Sequence, residues 1–146
     1  MTTKKKSVIF DLDGTLALID KRREASTKPN GKIHWGRFFD PKNINLDEPN
    51  DSVIKMAQLL KADGHDIVIF SGRSEATKDA TVSWLEKFDV PFDVIKMRPV
   101  GNEFGFTPDD TLKQNWLDDL FPDKADVLCV FDDRDKVVKM WRDNGL

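Results

Sequence analysis

The chain has 146 residues, with 23 basic against 26 acidic side chains and a formal net charge of −3. That length fits one domain around one core, and a net-acidic chain argues against non-specific coating of duplex nucleic acid, which needs many phosphates neutralised; contact with one phosphate-bearing end stays open. At 39% the hydrophobic content is too high for a disordered chain, no apolar run spans a bilayer, no signal-peptide pattern is present, and the lone Cys129 excludes an internal disulfide and favours the cytoplasm.

Residues 2–7 form a short basic tail, and Val8-Ile9-Phe10 follows as a compact apolar run stopped by Asp11-Leu12-Asp13-Gly14-Thr15. Residues 20–50 hold Pro29, Gly31, Pro41 and Pro49, with Trp35, Phe38 and Phe39 among them, and read as a loop-rich insertion with a short helix over 35–39. Its aromatics either form a small core of their own or stack on a base. Residues 51–63 have helical apolar spacing, with Gly64 as the stop. Ile67-Val68-Ile69-Phe70 is a second strand, followed at once by Ser71-Gly72-Arg73 and a helix over 74–87 that faces inward through Thr77, Ala80, Trp84 and Leu85. Residues 92–97 make a third strand. Thr107 caps a helix with Pro108 at its first position and acids in its first turn, and Leu112, Trp116, Leu117 and Leu120 form its inner face. Residues 127–131 are a fourth strand ended by Asp132-Asp133, and residues 135–144 are the last helix. His34 and His65 stand alone and read as non-catalytic.

Short, continuously apolar strands alternating with amphipathic helices predict an α/β fold: a parallel sheet with helices on both faces. Ligands of such sheets bind beyond the carboxyl ends of the strands. That rule gathers Asp11, Asp13, Ser71, Arg73, Asp132 and Asp133 at one edge. Two carboxylates two residues apart repel unless a cation or a shared proton intervenes, and Mg²⁺ suits them, with Asp132 or Asp133 as a further ligand. No His or Cys cluster competes for zinc. The fitting chemistry is phosphoryl transfer: one aspartate attacks phosphorus, the other handles protons, and Ser71 with a lysine holds the phosphate oxygens.

The motifs resemble those of the haloacid-dehalogenase-like (HAD) phosphohydrolases. Residues 8–16, VIFDLDGTL, match the first motif, Ser71 the second, Lys113 the third and Asp132-Asp133 the fourth. More narrowly, Ile69 to Arg73, Met97-Arg98-Pro99, Asp109 to Lys113 and the run from Phe131 to Arg142 resemble the 3′-phosphatase domain of phage-type polynucleotide kinase/phosphatase. The resemblance implies a three-layer Rossmann-like HAD core with a short insertion after the first strand, and that first strand central between the second and fourth. It implies removal of 3′-phosphates from DNA or RNA ends, as in nucleic-acid repair, through an aspartyl-phosphate.

Carried onto this chain, the resemblance makes Asp11 the nucleophile and Asp13 the acid/base, and gives Mg²⁺ to Asp11, the Asp13 backbone carbonyl and Asp133, with Asp132 alongside. Ser71 and Lys113 would bind the transferring phosphate. Arg22, Arg73 and Arg98 match functional arginines, and Thr15, Gly72 and Asp109 join the substrate contacts. The other readings are a nucleotidase or small-molecule phosphatase using the same site, and a catalytically idle binding module. No G-x-x-x-x-G-K-[ST] loop occurs, so no 5′-kinase activity is expected from these residues. Family members continue past the final glycine with another strand, so an end at Leu146 implies a trimmed chain or a shorter sheet.

Overall fold

The computed structural model describes residues 5–102 and 107–146, so residues 2–4 of the basic tail lie outside the described residues. In chain order the elements are β1 (Ser7–Phe10), β2 (Ala17–Leu18), α1 (Asp20–Ser26), α2 (Trp35–Phe38), a 3-10 turn at Pro41–Leu46, β3 (Glu48–Pro49), α3 (Asp51–Ala62), β4 (Ile67–Ser74), a 3-10 turn at Glu75–Thr77, α4 (Lys78–Lys87), β5 (Val94–Arg98), α5 (Asp109–Leu120), a 3-10 turn at Lys124–Asp126, β6 (Val127–Phe131) and α6 (Asp135–Asp143).

Four strands form a parallel sheet in the order β5-β4-β1-β6. The first strand therefore lies between the second and fourth long apolar runs, as the resemblance implied. Successive strand side chains point to opposite faces, and residues 8–10 of β1 and 67–70 of β4 are buried on both, which explains their unbroken apolar runs. Val8, Phe10, Ile67 and Ile69 pack with Ile54, Ala57, Trp84 and Leu85 of α3 and α4. Ile9, Val68 and Phe70 pack with Leu117 of α5 and with Val137, Met140 and Trp141 of α6. Each fully buried apolar side chain contributes roughly 1.5–3 kcal/mol over exposure. The Phe10 and Phe131 rings stack at 4.6 Å, in line with the register that pairs these residues at the ends of β1 and β6.

Several boundaries differ from those read in the sequence. The second strand runs on to Ser74, because Ser71, Arg73 and Ser74 are buried rather than exposed at a helix start, and the following helix begins only at Lys78. The third strand is shifted to Val94–Arg98. Pro108, not Thr107, is the cap of α5; its carbonyl accepts the first helical hydrogen bond, from Leu112 N at 3.0 Å. The insertion is better ordered than a loop-rich stretch: it contains α1 and α2, and β2 pairs antiparallel with β3 to close its base. Among the described residues no helix is long and apolar enough to cross a membrane.

Candidate active site

The chain leaves β1 at Phe10 and turns sharply, with Leu16 N and Ala17 N both donating to Leu12 O at 3.0 and 2.9 Å. Gly14 makes this turn with φ +82°, and a Cβ there would meet Asp133 Oδ2 at 2.1 Å. A side chain at residue 14 would thus collide with the carboxylate that the end of β6 brings in. Asp11 is buried, Thr15 Oγ1 donates to its Oδ2 at 3.3 Å, and Lys113 Nζ from α5 donates to its Oδ1 at 2.8 Å. The same ammonium donates to Asp132 Oδ2 at 3.0 Å, and Trp141 Nε1 adds a bond to that oxygen at 3.2 Å. Carboxylate oxygens of Asp11, Asp132 and Asp133 lie within 4.8 Å of one another. An all-oxygen set of three acids at a strand-end crevice fits a hard divalent cation such as Mg²⁺.

Burial pushes the Asp11 carboxyl up to about 8, with Lys113 opposing and Asp132 adding to the rise. Burial pulls the Lys113 ammonium down, but Asp11 and Asp132 outweigh it and hold the group above its usual range. The two directions agree once the charges are counted: one ammonium faces two carboxylates, so it stays charged while the acids compete for it.

Asp13 points elsewhere. Its Oδ1 accepts from Arg22 Nη2 and Arg73 Nε, each at 2.8 Å. Both guanidiniums also grip Asp47, Arg22 Nε at 2.9 Å and Arg73 Nη2 at 2.6 Å. Arg22 Nη1 donates to Phe38 O at 3.3 Å and Arg73 Nη1 to Thr81 Oγ1 at 3.2 Å. Burial raises the Asp13 carboxyl, but Arg73 and Arg22 overbalance it and hold the group below the usual carboxylate range. Two expectations change here. The Asp13 carboxylate is not among the clustered acids, so only its backbone carbonyl remains for a cation. Arg22 and Arg73 are fully buried on two carboxylates, which places them as supports of Asp13 and not on the wall of the crevice.

The crevice is a cavity of about 510 Å³ that reaches Asp11, Asp13, Lys113 and Asp133. Gly72 and Arg98 line it. Ser71 is buried behind, its Oγ accepting from Arg73 N at 3.1 Å. A Cβ on Gly72 would sit 2.8 Å from Asp109 Oδ1, so the bare glycine admits that acid. Arg98 anchors the corner: it donates to Gly72 O at 3.0 Å, to Thr107 O at 2.6 Å and to Asp109, which Arg134 also pairs. Ile19, Arg23, Trp35, Phe38 and Phe39 from the insertion complete the lining. Sequence reasoning singled out neither Asp47 nor Arg134, and it left Arg23 only as the register alternative to Arg22. For Asp47 no local signal existed, since its partners are 25 and 26 residues away. His34 and His65 are structural: His34 Nδ1 accepts from Arg37 N at 3.1 Å, and His65 bonds Lys6 O at 2.8 Å.

Residues 5–146 match the family model for the polynucleotide kinase PNKP phosphatase domain. The chain is 35% identical over 142 residues to a putative bifunctional polynucleotide kinase/RNA ligase of Autographa californica nuclear polyhedrosis virus, covering 94% of this chain and 18% of that protein. It is similar to a chain of the Pnkp1/Rnl/Hen1 RNA repair complex with TM-score 0.73 and 29% identity, over 96% of this chain and 40% of the other. A second structure of the Pnkp1/Rnl/Hen1 complex gives TM-score 0.71 at 29% identity, over 97% of this chain and 44% of the other. The chain thus spans less than half the length of each of these relatives. It belongs to the HAD-type polynucleotide kinase phosphatase-domain family, a family of hydrolases.

Proposed function

We propose that this chain, as a member of that family, is a Mg²⁺-dependent phosphomonoesterase that removes the 3′-phosphate from nucleic-acid ends. The observation that carries the reading is the convergence of Asp11, Lys113 and the adjacent pair Asp132-Asp133, from three separate stretches of chain, at one cavity with Asp13 beside them. The relatives named above concern RNA repair and RNA ligation, which makes an RNA 3′ end the first substrate to try, with DNA as comparison.

Asp11 is the nucleophile. Its carboxylate oxygen bonds to phosphorus while the bond from phosphorus to the 3′ oxygen breaks. Asp13 gives its proton to that departing oxygen. As a carboxylate it then takes a proton from the water that attacks the phosphoaspartate, releasing inorganic phosphate and restoring Asp11. The arginine pair favours the ionised, base form of Asp13; an arriving phosphate ester brings negative charge that opposes the arginines and lets the acid form appear. Lys113 steadies negative charge on Asp11 and the transferring group. A divalent cation held by Asp11, Asp133 and the Asp13 carbonyl, with Asp132 alongside, would offset repulsion between the nucleophile and the phosphate dianion.

The test is phosphate release from a 3′-phosphorylated oligonucleotide with Mg²⁺, against the Asp11→Asn variant. Wild-type turnover abolished in the variant supports the reading. Absence of release by the wild type ends it, and a kcat/KM far higher for a nucleoside monophosphate moves the assignment to a nucleotidase.

A further inference from the structure

The wall that the insertion contributes to the cavity is aromatic, and its chemistry is unlike that of the carboxylate floor. Trp35 is 50% exposed although it is among the largest apolar side chains in the protein, and its open surface lies on the cavity. Two aromatic rings pack against the Trp35 ring. Phe39 stacks on it at 5.8 Å and 20°, and Phe38 meets it edge-on at 5.5 Å and 83°. Phe38 is itself fixed by the Arg22 guanidinium, 4.4 Å above its ring, so the buried charge cluster that holds Asp13 also anchors the aromatic wall. Arg23 brings a cation to the same wall. The half-exposed ring facing this cavity offers apolar surface that a flat ligand would cover.

We propose that Trp35 is a stacking platform for an unpaired nucleobase at the 3′ end, a proposal that rests on the function assigned above. Inorganic phosphate or a sugar phosphate would leave this wall uncovered, and about 510 Å³ is within the range of roughly 300–1,000 Å³ that holds a whole small ligand. A base has a π-face whatever its identity, so stacking is sequence-tolerant, and it requires that the face be free of a neighbouring base. The wall therefore selects a single-stranded or frayed terminus. The same aromatics would have served as the insertion's own core only if Trp35 were covered; Phe38, at 7% exposure, does serve so, and Trp35 does not.

The experiment compares two single-stranded 3′-phosphorylated oligonucleotides, one normal and one with an abasic terminal nucleotide. Stacking is worth about 1–3 kcal/mol per base, so Trp35→Ala should lose roughly 5- to 150-fold in kcat/KM on the normal end. Wild-type protein should lose a comparable factor on the abasic end, where Trp35→Ala adds no further loss. Trp35→Phe should restore most of the activity on the normal end. Equal rates of the wild type on both ends, or the same loss by Trp35→Ala on both, overturns the proposal. In the inactive Asp11→Asn protein, quenching of tryptophan fluorescence by a nucleoside 3′-monophosphate, lost in the doubly substituted Asp11→Asn, Trp35→Ala protein, reads stacking without turnover. That arm separates the two claims: no phosphate release by the wild type refutes the phosphatase reading, whereas no Trp35-dependent quenching refutes the platform.

Discussion

Replacing Asp47 by asparagine tests how the buried charges behind the crevice are balanced. Arg22, Arg73, Asp13 and Asp47 form a set with two positive and two negative charges, so its formal sum is zero. The Asp47 side chain is fully enclosed, and its two oxygens take one guanidinium each, at 2.9 and 2.6 Å. Asparagine keeps the shape but removes one negative charge and offers a single acceptor oxygen. The set then carries an uncompensated positive charge away from water. Each charge pair about 4 Å apart is worth roughly 4 kcal/mol at an effective dielectric near 20. Retained hydrogen bonding and partial rehydration offset part of that, and breaking a buried pair costs about 3–5 kcal/mol in practice. Against a total stability of about 5–15 kcal/mol this is a large fraction. Urea denaturation followed by tryptophan fluorescence should show the midpoint falling with an unchanged slope. Combining Asp47→Asn with Arg73→Met should cost less than the two single losses summed, because both remove the same ion pair. A loss under about 1 kcal/mol for Asp47→Asn, or strict additivity in the double variant, would show that the four groups are not energetically linked.

Two further predictions follow from the site. Gly14→Ala forces a Cβ into Asp133 at 2.1 Å on a backbone with φ +82°, so it should lower stability by about 1–3 kcal/mol or more and weaken Mg²⁺ binding; unchanged melting and unchanged metal affinity would contradict the packing described. For pH, Asp11 is pushed up from 3.8 to about 8, so the folded protein holds more protons than the unfolded one between those values, and this group's contribution to stability falls as pH rises through that window. Mg²⁺ should therefore raise the melting temperature more at pH 8 than at pH 5, and an increment independent of pH would refute the assignment of that carboxylate.

The sheet was legible because burial on both faces writes unbroken apolar runs into β1 and the first half of β4, the apolar run of edge strand β6 completes the pattern, and the edge-of-sheet rule collects Asp11, Asp132 and Asp133 from sequence order alone. The insertion was not, and the reason is physical. Helix α1 reads Asp-Lys-Arg-Arg-Glu-Ala-Ser, and its buried residues are Arg22 and Ser26. Hydrophobic periodicity cannot find a helix whose inner face is a guanidinium and a hydroxyl. For the same reason the sequence cannot tell whether Arg22 and Arg73 reach a ligand: an arginine beside a motif carries no mark of whether its partner is a phosphate or an enclosed carboxylate. Asp47 supplies that missing partner from a stretch with no local pattern. The helix starts later than Ser74 because Ser74 both ends β4 and caps a 3-10 turn, its Oγ accepting from Ala76 N at 3.1 Å, and α4 follows only after that turn.

The pairing of Ala17 with Pro49 and of Leu18 with Glu48 has a consequence for how such a protein can diversify. The excursion between these strands departs from and returns to neighbouring points, so it behaves as an exchangeable cassette plugged into a fixed socket. A replacement segment must bring an arginine equivalent to Arg22, an acid equivalent to Asp47, and an apolar side chain equivalent to Ile44, which is buried in the core with Val8, Phe10 and Trp84. Evolution, or an engineer, can thereby retune what the cavity admits while the acid cluster beneath stays constant.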